Sequence, residues 1–82
     1  MDRKQIMIQL NGIFRDAFMD SALEISEQTS AKDIEDWDSL MQITLITAIE
    51  KKYGVQFSLD DVLGLENVGG MVDLILRETK RE

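Results

Sequence analysis

The sequence Trp37-Asp38-Ser39-Leu40 stands where a polar stretch of the chain gives way to an apolar one. On its C-terminal side, apolar residues recur at helical spacing up to Gly54, a residue type that suits the left-handed end of a helix. Aspartate and serine are both favoured N-cap residues, so either one can begin this helix. The stretch therefore predicts a helix that opens at the aspartate-serine pair and ends at the glycine.

The stretch 20–38 before this helix is polar and shows little helical periodicity. It holds seven carboxylates against one basic residue, Lys32, a composition typical of a solvated loop. A loop of this length stays ordered only where apolar side chains anchor it to the core. The expected anchors are Leu23, Ile25, Ile34 and Trp37.

Helical spacing continues on both sides of this region. A first helix is expected from Arg3 to Met19, and a short third helix is expected over 60–64, after a serine at a capping position. A fourth helix begins at Val68 and runs to the charged tail 77–82. The glycine pair 69–70 in its first turn indicates either close packing or a loose helix start. Three long helices and one short one predict an all-α, four-helix bundle.

Composition limits the possible functions. At 82 residues the chain has room for one hydrophobic core, so a single monomeric domain spanning 1–82 is expected. The chain has no cysteine and no histidine, which excludes disulfides, cysteine-ligated zinc and ordinary Ser–His or Cys–His catalysis. The net charge of −7 opposes binding to nucleic acid or to anionic membranes and favours partners with basic surfaces.

The N-terminal segment resembles neither a signal peptide nor a membrane span, because polar residues interrupt its apolar ones. No membrane insertion and a cytoplasmic location are therefore expected. A calcium-binding loop is excluded, because the required glycine and glutamate are missing at the right distance from Asp33 or Asp36. Catalysis by the carboxylates around Trp37 is disfavoured, since so small a domain leaves little room for a closed pocket.

The helix order and the motif Asp38-Ser39-Leu40 together resemble the acyl carrier protein family over essentially the full length of the chain. Asp-Ser-Leu alone is a weak signal. Its position at a loop-to-helix junction strengthens it, as do the apolar residues that follow at the family's spacing: Leu45, Ile46 and Ile49. The resemblance implies a stand-alone carrier with the four-helix fold of that family, and no enzymatic activity.

In the family, a phosphopantetheinyl transferase attaches 4'-phosphopantetheine from coenzyme A to a serine, and the residue that matches this serine is Ser39. The resemblance further implies acyl-loading and acyl-transferring enzymes as partners. The residues expected to recognise partners are Asp38, Leu40, Ile43, Thr47 and Glu50. No metal ligands are expected. Leu40 and Ile43 have an alternative role in core packing, and Ser39 has one as an ordinary N-cap.

The second helix departs from the family, whose fatty acid members usually carry many carboxylates there. Met41, Thr44, Lys51 and Lys52 occupy positions that are often acidic. The departure favours a specialised carrier for fatty-acid-like or polyketide synthesis, with partners that dock through apolar contact. Growing acyl chains are expected to shelter between the helices, beside Leu45, Ile46, Ile49 and Ile75.

Two alternatives stay open from the sequence. A peptidyl or aminoacyl carrier shares the same four-helix plan, because the loading enzyme selects the cargo. From a different class, an unmodified helical interaction module would use the apolar second helix to bind a partner. Covalent modification of Ser39 distinguishes the carrier from the module.

Overall fold

A computed structural model describes residues 2–79, and within that range the regular structure is entirely helical. The helices are α1 (Arg3–Phe18), α2 (Ser39–Tyr53), α3 (Leu59–Leu63) and α4 (Val68–Thr79). The prediction of an all-α four-helix bundle with one short helix is confirmed. No helix in the described part of the chain has the length and apolar character to cross a bilayer. The last residues of the predicted tail, 80–82, lie outside the described range.

The helix ends differ from the predicted ones by a few residues. α1 ends at Phe18 because Met19 adopts a left-handed conformation, with φ of 53° and ψ of 44°. α3 begins at Leu59, one residue early, because the Ser58 hydroxyl accepts a hydrogen bond from the Asp61 N–H at 3.1 Å. α4 continues through the first residues of the predicted tail to Thr79.

The core lies between the three long helices. Each of them buries one apolar stripe, as the helical spacing predicted. The members that are essentially inaccessible to solvent are Ile6, Leu10 and Phe14 of α1, Leu45 and Ile49 of α2, and Val68, Met71, Val72 and Ile75 of α4. α3 contributes no buried residue to this core.

The loop 20–37 is anchored to the bundle by the predicted side chains. Ile25 and Trp37 are buried, and Leu23 and Ile34 are partly buried against the core. The Trp37 ring meets that of Phe14 edge-on, with centroids 5.3 Å apart. The interpretation of these four residues as loop anchors is confirmed.

Polar side chains of α1 hold the backbone of the same loop. Arg15 Nε donates to the Leu23 carbonyl oxygen at 2.6 Å, and Asn11 Oδ1 accepts the Ile25 N–H at 2.8 Å. The Arg3 guanidinium binds the Glu27 carboxylate, with Nε 3.1 Å from Oε2. These three residues spread their contacts along α1, so the first half of the loop runs fixed along this helix.

The start of α4 is built onto the same loop. The Val68 N–H donates to the Thr29 carbonyl at 2.9 Å, and the Gly69 N–H donates to the Glu27 carbonyl at 2.8 Å. A Cβ at position 69 would lie 3.1 Å from the Glu27 carbonyl oxygen, so only glycine allows this approach without a shift. Of the two readings of the glycine pair, close packing is therefore confirmed.

Candidate functional site

The junction that opens α2 assigns its two polar residues different tasks. Asp38 is the N-cap, and its Oδ1 accepts the Met41 N–H at 2.8 Å. Ser39 is consequently the first residue of the helix. The sequence left the choice of cap open, and the structure gives that role to the aspartate. The ordinary N-cap role proposed as an alternative for Ser39 is therefore wrong.

Because Asp38 caps the helix, the hydroxyl of Ser39 is left without a structural task. The residue is exposed, and no hydrogen bond to its Oγ exists within residues 2–79. It stands at the N-terminal end of α2, where the unpaired N–H groups of the helix give a partial positive charge. A phosphate group joined to this oxygen would be electrostatically favoured there.

An apolar cleft of about 600 Å³ opens beside Ser39. Asp38, Ser39 and Gln42 form part of its lining at the start of α2, and apolar side chains provide most of the rest. Those apolar residues come from the loop, from all three helices that follow it and from the turn between α3 and α4: Ala31, Trp37, Ile43, Leu59, Val62, Leu63, Leu65 and Met71.

The lining differs from the one expected for a sheltered acyl chain. Leu45, Ile49 and Ile75 are fully inaccessible and belong to the closed core, and Ile46 is also buried. None of these four lines the cleft. Helical spacing identified them as apolar but could not tell a closed interface from an open one, and the shelter of an acyl chain beside them stays a prediction.

Four exposed apolar side chains lie in and around the cleft. Leu40 and Ile43 of α2 are 72% and 61% exposed, and Leu59 and Leu63 of α3 are 72% and 73% exposed. Core packing, the alternative role for Leu40 and Ile43, is therefore wrong. We call Leu40, Ile43, Leu59 and Leu63 the apolar rim. The exposure of the two α3 leucines was not predicted from the sequence. A helix of only five residues packs too little of its surface against the core to bury leucines on every side.

The other two predicted partner residues on α2 lie in different settings. Thr47 is exposed and shares the helix face of Leu40 and Ile43, since the three are spaced by three and four residues. Glu50 is half-buried, and its Oε2 accepts the Phe57 N–H at 2.8 Å. It is about 16 Å from Ser39 along the helix axis, at 1.5 Å per residue. The structure therefore does not bring Glu50 close to Ser39.

Trp37 closes one side of the site. Its Nε1 donates to Gln42 Oε1 at 2.7 Å, and its ring packs against Phe14 and Phe18. Trp37 therefore forms a well-packed wall of the cleft beside Ser39.

In α3, the pKa of Asp61 is lowered to about 2 by Arg77 of α4, because its guanidinium hydrogen-bonds the carboxylate.

The remaining carboxylates do not assemble a metal site. Within residues 2–79 no group of three potential metal-binding side chains comes together. A more polar cavity, of about 330 Å³, includes Arg3, Glu27 and Asp73 in its lining and meets the cleft at Glu66 and Asn67. Two of its carboxylates, those of Glu27 and Asp73, are paired with Arg3, which binds Asp73 Oδ1 through Nη1 at 2.6 Å.

Known proteins share both the sequence pattern and the fold. A family profile described as a phosphopantetheine attachment site matches residues 9–75. An acyl carrier protein of Acidothermus cellulolyticus is 29% identical over 79 residues, covering 96% of this chain and 94% of its own. One from Saccharopolyspora erythraea is 28% identical over 76 residues, covering 93% of this chain and 80% of its own.

The likeness extends to a solved structure. The solution structure of a holo acyl carrier protein from Geobacter metallireducens superposes with a TM-score of 0.85 and 37% identity, covering 92% of this chain and 86% of that one. The family profile spans the cap, the exposed serine and the cleft. The chain therefore belongs to the phosphopantetheine-attachment family of acyl carrier proteins, which are carriers rather than enzymes and bear a covalent phosphopantetheine group.

Proposed function

We propose that Ser39 Oγ is the attachment point of the phosphopantetheine group. The observation that carries the proposal is the division of tasks at the start of α2, where Asp38 caps the helix and leaves Ser39 exposed. The hydroxyls of three other serines are used by the fold. Ser26 and Ser30 accept backbone N–H groups in loop turns, and Ser58 caps α3.

The chain supplies only the nucleophilic oxygen for this modification. The Ser39 oxygen bonds to the phosphorus of coenzyme A that carries the pantetheine arm, the phosphoanhydride bond breaks, and adenosine 3',5'-bisphosphate leaves. The hydroxyl proton passes to a base of the transferase, because this chain has no histidine to accept it. Once attached, the group supplies a terminal thiol that holds the acyl cargo as a thioester.

Partner enzymes, in this proposal, dock on the face of α2 that carries Leu40, Ile43 and Thr47, beside Asp38. These partners are the phosphopantetheinyl transferase and the enzymes that load and transfer acyl groups. The apolar rim favours contact by apolar side chains, and the carboxylates of the preceding loop favour basic ones nearby. Glu50 contributes through the local charge only, because its carboxylate is bonded to the Phe57 N–H.

The cleft beside Ser39 is the proposed shelter for the acyl chain. Its lining is mostly apolar, and it opens next to the oxygen that would hold the arm. Tethering then raises the effective concentration of the cargo at each docked enzyme. We propose that the chain acts as a monomeric single domain in the cytoplasm, serving a specialised fatty-acid-like or polyketide pathway, because α2 lacks the usual run of carboxylates.

The test is intact-mass spectrometry after incubation with coenzyme A and a broad-specificity phosphopantetheinyl transferase. The wild type should gain one phosphopantetheinyl group, and Ser39→Ala should gain none. Ser21→Ala, at an exposed loop serine, is the matched control and should be modified like the wild type. Circular dichroism verifies that each variant is folded. A folded wild type that gains no mass would refute the proposal and favour an unmodified interaction module.

A further inference from the structure

Helix α3 forms a wall of the cleft without belonging to the core. Three of its five residues, Leu59, Val62 and Leu63, line the cleft. None of its residues is buried, whereas every other helix buries at least three. A segment with so few buried contacts opens locally at a small cost in free energy. The position of this wall must therefore depend on the few polar contacts that hold α3.

The polar contacts converge on one residue. The Asp61 carboxylate accepts the Ser58 N–H at 3.2 Å, which completes the cap of α3. The same carboxylate receives two hydrogen bonds from Arg77 of α4, from Nη1 at 3.2 Å and from Nη2 at 2.7 Å. A two-pronged guanidinium–carboxylate pair fixes orientation as well as distance. Through it, the short helix is joined to one that is firmly packed.

We propose that the Asp61–Arg77 pair positions α3 as the wall of the cleft and thereby sets how firmly the cleft holds an apolar acyl chain. The proposal rests on the proposed shelter function of the cleft. Neither residue lines the cleft, so both act as positioning residues. Ion pairs with partly exposed members contribute little to global stability, but this pair acts on an element with almost no other support.

The first arm of the test needs no cargo. Amide hydrogen exchange is measured by NMR on the unmodified protein, as wild type, Arg77→Gln and Asp61→Asn. The amides of Val62 and Gly64, which bond to carbonyls at the start of α3, should exchange about fivefold faster in both variants. Arg77→Lys should recover part of the protection, because lysine keeps the positive charge but cannot make the two-pronged hydrogen bond of a guanidinium.

Arg3→Gln is the matched control. Arg3 also bridges two carboxylates, those of Glu27 and Asp73, but it lies away from the cleft lining. The Arg3→Gln variant should leave the exchange rate of the α3 amides, relative to that of the core amides, at its wild-type value. Equal exchange of α3 in Arg77→Gln and wild type would overturn the proposal, as would the same acceleration in Arg3→Gln.

The second arm uses protein loaded with acetyl or octanoyl thioesters on the arm. The backbone shift differences between the two cargoes, read at Leu63, Leu65 and Met71, should fall by about half or more in Arg77→Gln and persist in Arg3→Gln. Differences that persist in Arg77→Gln would overturn the proposal. If the wild type shows no difference between cargoes, the shelter function fails. The positioning role of the Asp61–Arg77 pair is then judged by the exchange rates alone.

Discussion

The loop 20–37 and helix α3 reverse the usual relation between regular structure and order. The loop is long, polar and without a helix, yet it buries two side chains and accepts or donates hydrogen bonds along α1 and at the start of α4. Helix α3 has regular backbone hydrogen bonds, yet it buries nothing. Order in this bundle thus follows from contacts with the core and with α1, rather than from local secondary structure.

The difference has a functional counterpart. The well-anchored loop ends at Trp37 and Asp38, so it holds Ser39, the proposed attachment point, at a fixed place. The weakly anchored helix faces the cleft that we propose as the shelter for acyl chains of different sizes. Rigid and adaptable parts therefore stand on opposite sides of the same opening.

The largest expected effect comes from removing a loop anchor. Trp37→Ala should lower the free energy of unfolding by about 3 to 5 kcal/mol, because it leaves a cavity beside Phe14. Leu63→Ala, on the exposed face of α3, should change it by no more than about 0.5 kcal/mol. Urea denaturation followed by circular dichroism gives both values. Similar losses in the two variants would break the comparison between the loop and α3.

A smaller effect is expected where the loop meets α4. In Gly69→Ala the new Cβ approaches the Glu27 carbonyl, and the backbone strain should outweigh the gain in helix propensity, for a net loss of about 1 kcal/mol. Gly70→Ala is the matched control. Its Cβ would come within 3.1 Å of the flexible end of Leu65 and within ordinary contact distance, 3.8 Å, of Asn67 Oδ1, so stability should hold or rise slightly. Thermal melts rank the stabilities of the two variants. The reverse order would show that the Glu27 carbonyl moves aside for the new Cβ at little cost.

The smallest effect concerns the charge that holds α3. The pKa of Asp61 is about 2 in the folded chain against an ordinary 3.8, because Arg77 hydrogen-bonds its carboxylate. A folded-state pKa below the unfolded-state pKa stabilises the folded chain at pH values above the unfolded-state pKa. This contribution is lost as the pH falls through about 2. Carboxyl carbon shifts should titrate accordingly, and Arg77→Gln should raise the midpoint toward 3.8. An unchanged midpoint would mean that Arg77 does not hold α3.

The sequence sufficed for the parts of the fold that depend on local pattern. Helical spacing located the four helices, and the rarity of apolar residues in the loop pointed to Ile25 and Trp37 as anchors. Motif and position together singled out Ser39, whose hydroxyl the structure leaves unbonded within residues 2–79. Each of these predictions uses information carried by residues close together in the chain.

The remainder depends on which segments meet in space. Nothing local to Asn11 or Arg15 shows that they bind the loop backbone, since those partners lie eight or more residues away. The same holds for Asp61 and Arg77, which are sixteen residues apart. The position of the cleft could not be predicted for a related reason, because a helix shows the same apolar spacing whether its stripe faces a closed core or an opening.

The cap of α2 has a consequence for how this chain can change over evolutionary time. Because the Asp38 side chain caps the helix, the hydroxyl of Ser39 contributes no bond that folding requires. Selection at position 39 can then act on the reactivity of the side chain, whereas selection at position 38 must preserve the cap that folding requires. Given the proposed role of Ser39, a mutation that removes this hydroxyl would silence the carrier and leave an intact bundle behind, available for a new role as an unmodified binding partner.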